Sequence, residues 1–164
     1  MSLYFKWGGI ALVIISALLV SREYSRRLDR RISEYRGLVD LIAYAECEIT
    51  KSLSHGSGLW QGFSDVALEK CGLLPLLRKG ESLKSAFDKC KGKTALSAEA
   101  SDRISAMLAP LGRGYRDSEI RLLGEIKDSL SRELDSENES AEKNKKIAKA
   151  LLLGGALTIA IMGM

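Results

Sequence analysis

The two ends of the chain are its most apolar segments, and they limit how the rest can fold. Residues 3–20, LYFKWGGIALVIISALLV, carry one charge, and residues 147–164, IAKALLLGGALTIAIMGM, carry one interior charge. As helices, these stretches would each extend about 27 Å, close to the hydrocarbon thickness of a bilayer. A helix that is apolar all round is hard to bury in a small domain. The sequence therefore predicts transmembrane segments over residues 1–21 and 147–164.

Basic residues beside these stretches predict their orientation. Arginines follow the first stretch and lysines precede the second: Arg22, Arg26, Arg27, Arg30, Arg31, Arg36, Lys143, Lys145 and Lys146. Basic flanks stay on the cytoplasmic side of a membrane. We therefore expect a membrane location with two spans, both termini outside and residues 22–146 in the cytoplasm. The net charge of +4, placed in this way, indicates contact with membrane lipid and no nucleic-acid partner.

A secreted helical protein with a cleaved signal peptide is the alternative for the first stretch. The residues after the apolar run, SREYSRRLDRR, are large or charged instead of the small residues that a cleavage site needs. That favours retention of the segment. Mass spectrometry of the purified protein would separate the two possibilities by its amino-terminal residue.

Helix-forming residues dominate the whole chain, which has only two prolines. After the first stretch, mostly apolar residues recur at helical spacing as far as the SHGSG segment: Leu28, Ile32, Tyr35, Val39, Ile42, Glu46, Ile49 and Leu53. Three short helices are expected over residues 59–71, 82–90 and 97–109, and a last long helix from about residue 115 onward. The fold class is therefore all-α, with a small cytosolic antiparallel bundle of about five to six helices between amino- and carboxyl-terminal transmembrane helices.

Large apolar residues in these helices are the predicted core. They are Trp60, Phe63, Val66, Leu83, Phe87, Ile104, Met107 and Leu108, with Ile120, Leu123, Leu130 and Leu134 in the last helix. The segment DSENESAEKNKK after residue 134 is polar all round and predicts a solvated stalk. We expect Ser82 to cap one short helix, and either Thr94 or Ser97 to cap the next.

No catalytic, cofactor or metal site is predicted. Three cysteines without a C-x-x-C pair argue against zinc and against a disulfide framework. The KGKT run at residues 91–94 has Phe87 where a phosphate-binding loop needs a glycine, and no strand is expected before it. A membrane-tethered thiol enzyme that uses a cysteine with His55, the single histidine, remains an alternative, but nothing orients the two groups.

Two carboxylates late in the first long helix stand out, because Glu46 interrupts its apolar stripe and Glu48 follows two residues later. Residues two apart on a helix point to different sides, so the two cannot act as an acid–base pair on one face. A carboxylate on an apolar stripe is usually at the edge of the packed face or hydrogen-bonded across the bundle. We favour that structural role for Glu46 over catalysis.

The whole-chain pattern resembles the stage III sporulation protein AB family. Within LIAYAECEI, Glu46, Glu48 and Ile49 match the family's L-x-x-L-E-x-E-I stretch, and in LGRGYRDSEIRLLGEI, Gly114 and Asp117 match its L-G-x-x-D-x-x-x-Q signature. Departures from the signature are Arg113 for a leucine and Arg121 for the glutamine. The family's alanine followed by an aromatic corresponds here to Ala86 and Phe87.

This resemblance implies a function that the residues alone do not. The family is similar to the inner-membrane platform proteins of type II secretion and type IV pilus systems. The resemblance implies a non-enzymatic scaffold subunit of the channel between mother cell and forespore, located in the mother cell's outer forespore membrane. Its expected partners are a secretion-type ATPase and other channel subunits. The sequence leaves open whether it also forms a homo-oligomer.

Overall fold

The computed structural model describes residues 2–51, 58–112 and 114–163. Within the two terminal helices, the side chains of residues 2–14, 17, 149, 151–153 and 156–163 are not described. Over these described residues the chain is helical, without strands: α1 Ser2–Lys51, α2 Val66–Cys71, α3 Leu73–Arg78, α4 Leu83–Cys90, a 3₁₀ turn Lys91–Lys93, α5 Ala98–Leu108 and α6 Arg116–Gly163. The all-α prediction is confirmed.

Over the part of the chain that the structure describes, no helix holds a segment whose length and apolar character would let it cross a bilayer. Most side chains of the two predicted membrane segments, residues 1–21 and 147–164, lie outside the described set.

The chain divides into two compact units, one of residues 30–136 and one of residues 1–29 with 137–164. In the second unit, the Lys145 ammonium donates to the Asp29 carboxylate over 2.7 Å. Ala141 in the same unit is only 3% exposed. The segment predicted as a stalk polar all round therefore has a buried side.

In the unit of residues 30–136, α1 and α6 run antiparallel. The Tyr35 hydroxyl on α1 donates to Glu133 on α6 over 3.0 Å. Farther along α1, Glu46 instead accepts from Lys127 over 2.5 Å. Residues later in α1 contact residues earlier in α6, which confirms the predicted antiparallel arrangement in this unit.

The predicted core is largely right. Most of the expected side chains are buried or packed against the core, and they include Leu83, Phe87, Ile104, Leu108, Leu123 and Leu130. Val66 is the exception, since it is 67% exposed. The helix expected from residue 59 in fact begins at this valine, because the Asp65 carboxylate caps it by accepting from the Leu68 amide over 2.8 Å.

Helix α3 lies where the sequence analysis placed a turn. Gly72 adopts φ 89° and ends α2, and α3 begins directly after it. Pro75 falls in the first turn of α3, where its missing N–H would have had no partner within the helix. Because α3 forms, Leu74 and Leu77 reach the core with no exposed surface. The predicted caps of α4 and α5, Ser82 and Ser97, accept from the amides of Ser85 and Ala100.

A substitution of Gly112 tests the turn between α5 and α6. Gly112 has φ 80°, a left-handed conformation that costs other L-residues about 1–2 kcal/mol. We expect Gly112→Ala to lower the free energy of unfolding by that amount, measured by urea denaturation of the full chain in micelles. Gly92→Ala is the matched control, since a Cβ there meets nothing within 4 Å. Equal effects of the two variants would contradict this assignment.

Candidate functional site

Of the family-motif residues of α1, Glu46 contacts α6 directly. Glu46 forms an ion pair with Lys127 across the bundle. Contact with this carboxylate raises the pKa of the Lys127 ammonium. Ile49 is buried, one turn farther along α1. Glu48 is half-buried on a different side of the helix, as its spacing predicted.

Arg116, the first residue of α6, links the two motif regions. Its guanidinium donates to the Ile49 carbonyl over 3.0 Å and to the Thr50 carbonyl over 2.5 Å. The last carbonyls of a helix have no partner within that helix. Arg116 thus satisfies the end of α1 and fixes it against the start of α6. The sequence analysis did not single it out, because its partners are 66 and 67 residues away.

Gly114 and Asp117 occupy the turn before α6 and its first turn. Asp117 is exposed at the positively polarised end of the helix, where a carboxylate is favourable. Gly114 does not adopt the left-handed conformation of Gly112. A Cβ at Gly114 would instead lie 2.5 Å from the Ser118 hydroxyl. The turn therefore depends on Gly112 for its backbone conformation, and a side chain at Gly114 would displace the Ser118 hydroxyl that donates to the Tyr115 carbonyl.

Ala86 and Phe87 lie away from this junction. Both belong to α4 and are almost fully buried, at 0% and 1% exposure. Their role in this unit is packing. The structure brings together the two other motif regions, at the end of α1 and the start of α6, and leaves this pair in the core beside them.

An apolar groove opens next to the junction of α1 and α6. Its volume is about 340 Å³, and it is lined by the end of α1, the turns after residue 58, the start of α4, and the beginning of α6 with the turn before it. Its apolar walls include Ile49, Trp60, Leu83, Leu111 and Leu123. Clefts of this size and character are typical ligand or peptide sites. The sequence assigned Trp60 to the core, but it is half-buried in this wall.

Two of the three cysteines are buried in environments that disfavour thiol chemistry. Cys71 and Cys90 are buried. Burial raises the pKa of both thiols, which disfavours the nucleophilic thiolate. Cys47 is exposed on α1. His55, the proposed partner in the enzyme alternative, lies outside the described residues.

No group of three or more His, Cys, Asp or Glu side chains among the described residues could hold a metal ion. The KGKT run forms the 3₁₀ turn Lys91–Lys93 directly after helix α4. It therefore lacks the strand that precedes a phosphate-binding loop. The groove, by contrast, has the size and apolar lining of a binding site.

Removal of the Arg116 guanidinium tests the link between α1 and α6. Hydrogen bonds that involve a charged group contribute about 1.5–3 kcal/mol, so we expect Arg116→Ala to lower the free energy of unfolding by about that amount. Arg121→Ala is the matched control on the same helix, because its ion pair with Glu125 is largely exposed. Urea denaturation of the full chain in micelles measures both. If Arg116→Ala unfolds at the same urea concentration as wild type, the hydrogen bonds from Arg116 to the two carbonyls do not stabilise the fold.

Comparison with known proteins places the chain in a family. A family model described as Stage III sporulation protein AB matches residues 77–163, more than half of the chain. The match contains Ala86, Phe87, Gly114 and Asp117 and begins after Glu46, Glu48 and Ile49. No curated protein and no solved structure matches the chain.

Proposed function

The chain belongs to the stage III sporulation protein AB family and has a role in sporulation, and from this we propose that it is a non-enzymatic platform subunit of a secretion-like channel between mother cell and forespore. Its helical unit of residues 30–136 offers a binding surface to a secretion-type ATPase or to other channel subunits. The open apolar groove beside the junction of α1 and α6 is the observation that carries this proposal.

The placement of the groove supports a scaffold. A mainly apolar cleft of about 340 Å³ with a few polar groups has the size and character of a typical binding site. The Glu46–Lys127 ion pair and the Arg116 hydrogen bonds hold the neighbouring ends of α1 and α6 together. A groove built on such a fixed junction presents the same surface to each partner. This suits a subunit that positions others.

Membrane attachment is part of the proposal and rests on the sequence. The apolar stretches at residues 3–20 and 147–164, with their basic flanks, suit two spans that place the helical unit in the cytoplasm. Reporter fusions after residue 62 and at the carboxyl terminus test this arrangement. We expect the internal fusion to report a cytoplasmic location and the terminal fusion the opposite side. An external signal from the internal fusion would contradict it.

Co-purification from detergent-solubilised membranes of sporulating cells tests the platform function. We expect the tagged wild-type chain to bring down the channel ATPase, identified by mass spectrometry. Leu111→Asp places a charge in the groove wall at a half-buried position, and we expect it to lose most of that ATPase. Val66→Asp is the control, because this exposed valine lies outside the groove. Equal recovery with all three chains would contradict a role for the groove.

A further inference from the structure

The groove contains one carboxylate that has no ion-pair or hydrogen-bond partner among the residues that the structure describes. Glu119 lies in the first turns of α6 and lines the groove, with only 8% of its surface exposed. No hydrogen bond or ion pair joins its side chain to any other residue in the described part of the chain. A side chain of this charge with so little exposed surface usually has a hydrogen-bond partner, and the Glu119 oxygens are not fully buried, so they are accessible from the open groove. Glu46, the other carboxylate near this junction, shows the usual solution, since it pairs with Lys127.

The other charges in the groove lining are already paired. The Glu81 carboxylate accepts from Lys89 over 2.6 Å and from the Ser85 hydroxyl over 3.1 Å. The Lys84 ammonium donates to Asp88 over 2.6 Å. Among the described residues that line the groove, Lys84 is the one cation, and its ammonium is paired with Asp88 and not with Glu119. An occupant of the groove therefore meets apolar walls and one carboxylate, Glu119, that has no ion-pair partner among the described residues.

We propose that the groove binds an amphipathic helix of a partner protein, with a lysine or arginine on the helix's apolar face that pairs with Glu119. This inference rests on the proposed platform function and specifies the chemistry of the partner. Helices α1, α4 and α6 and the turns beside them line the groove. Helix-in-groove docking uses apolar anchors at positions i, i+3 or i+4. A cation between such anchors forms a charge-assisted hydrogen bond with the carboxylate.

A displayed peptide library tests this partner chemistry. The probe is a phage library of 14-residue helical peptides, randomised at the positions of one face and selected on the full chain in nanodiscs. We expect the peptides selected on the wild-type chain to share apolar residues around one arginine or lysine. The best peptide should bind the wild-type chain at least ten times more tightly than the same peptide with citrulline or norleucine at that position, by fluorescence anisotropy.

Two variants make the result specific. Glu119→Gln keeps the shape of the side chain and should abolish the preference for the cation. Glu81→Gln is the matched control in the same groove and should leave the preference unchanged. Enrichment without a basic residue, no enrichment at all, or an unchanged preference in Glu119→Gln would overturn the proposal.

Other occupants are separated by competition. An unlabelled second copy of the chain is tested as a competitor against the labelled peptide. If it displaces the labelled peptide as effectively as unlabelled peptide does, the groove is a self-association site and the proposal fails. The proposal also fails if peptides bind only after residues 52–57 are replaced by a glycine–serine segment. Leu111→Asp could still lose the ATPase while the selected peptides show no preference for a basic residue. That result would support the platform function and reject only the partner chemistry proposed here.

Discussion

Phe87→Ala should remove about 3–5 kcal/mol from the free energy of unfolding, the largest effect that we expect from a single truncation in this chain. The Phe87 ring is 1% exposed and lies among the largest fully buried side chains of the core. Its removal loses the transfer free energy of the ring and leaves a cavity that helices tied by capping and ion pairs can only partly close. That loss is a large part of the 5–15 kcal/mol by which most domains are stable.

Urea denaturation of the full chain in micelles, followed by circular dichroism, measures this effect. Val66→Ala is the control, since it also truncates an apolar side chain but at an exposed position. We expect it to change the free energy of unfolding by no more than about 0.5 kcal/mol. Similar losses in the two variants would show that Phe87 does not pack as described.

Glu34→Ala should cost about 2–4 kcal/mol, because it breaks a buried polar link between α1 and the turn before α5. The Glu34 carboxylate is 1% exposed and accepts from the Ala95 amide over 2.6 Å and from the Arg30 guanidinium over 3.1 Å. Arg30 also donates to the Lys93 carbonyl over 2.8 Å. Without the carboxylate, the Ala95 amide loses its partner in a poorly solvated position.

Glu34→Gln separates the loss of shape from the loss of charge. Its amide oxygen can still accept from Ala95, so we expect a cost of about 1 kcal/mol or less. Urea denaturation of the two variants side by side decides the point. Equal losses for alanine and glutamine would mean that the charge on Glu34, and not its accepted hydrogen bond, holds the turn.

The pH dependence of stability provides a further check on Glu34. Burial raises the pKa of its carboxyl above the ordinary 4.5, despite the hydrogen bonds from Ala95 and Arg30 that lower it. The unfolded state has the ordinary pKa and the native state the raised one, so between these values the native state binds more protons than the unfolded state. The contribution of Glu34 to the free energy of unfolding is therefore full below pH 4.5 and is lost as pH rises through the raised pKa. The stability of wild type relative to Glu34→Gln should therefore fall across that window. A flat or rising difference would contradict the raised pKa.

Much of the fold is readable from the sequence because helical periodicity and capping are local signals. Ser82 and Ser97 cap the helices as expected, and the apolar spacing along α1 identifies Tyr35, Ile42 and Ile49 as buried. Helix α3 was missed for a local reason as well. Pro75 was interpreted as part of a turn, although a proline in the first turn of a helix is compatible with that helix.

The residues that depend on distant partners could not be predicted in this way. Nothing near Glu34 in the sequence indicates that an amide 61 residues away will bury and bind its carboxylate. In the same way, nothing in the sequence distinguishes Arg116 from the other arginines, because its partner at the end of α1 is distant along the chain. The groove requires four separate segments to meet. The sequence identified Glu46, Ile49, Gly114 and Asp117 by resemblance, and the structure adds that the two motif regions lie at one junction.

Site-specific photo-crosslinking in sporulating cells tests the central claim, that this groove is the platform's binding surface. A photoreactive amino acid replaces Leu111 in the groove wall, or Val66 as an exposed site outside the groove, in otherwise wild-type full-length chains. We predict a crosslink from position 111, and not from position 66, to the channel ATPase or another channel subunit, identified by mass spectrometry. Crosslinks to that subunit from position 66 alone, or from neither position, would contradict the account.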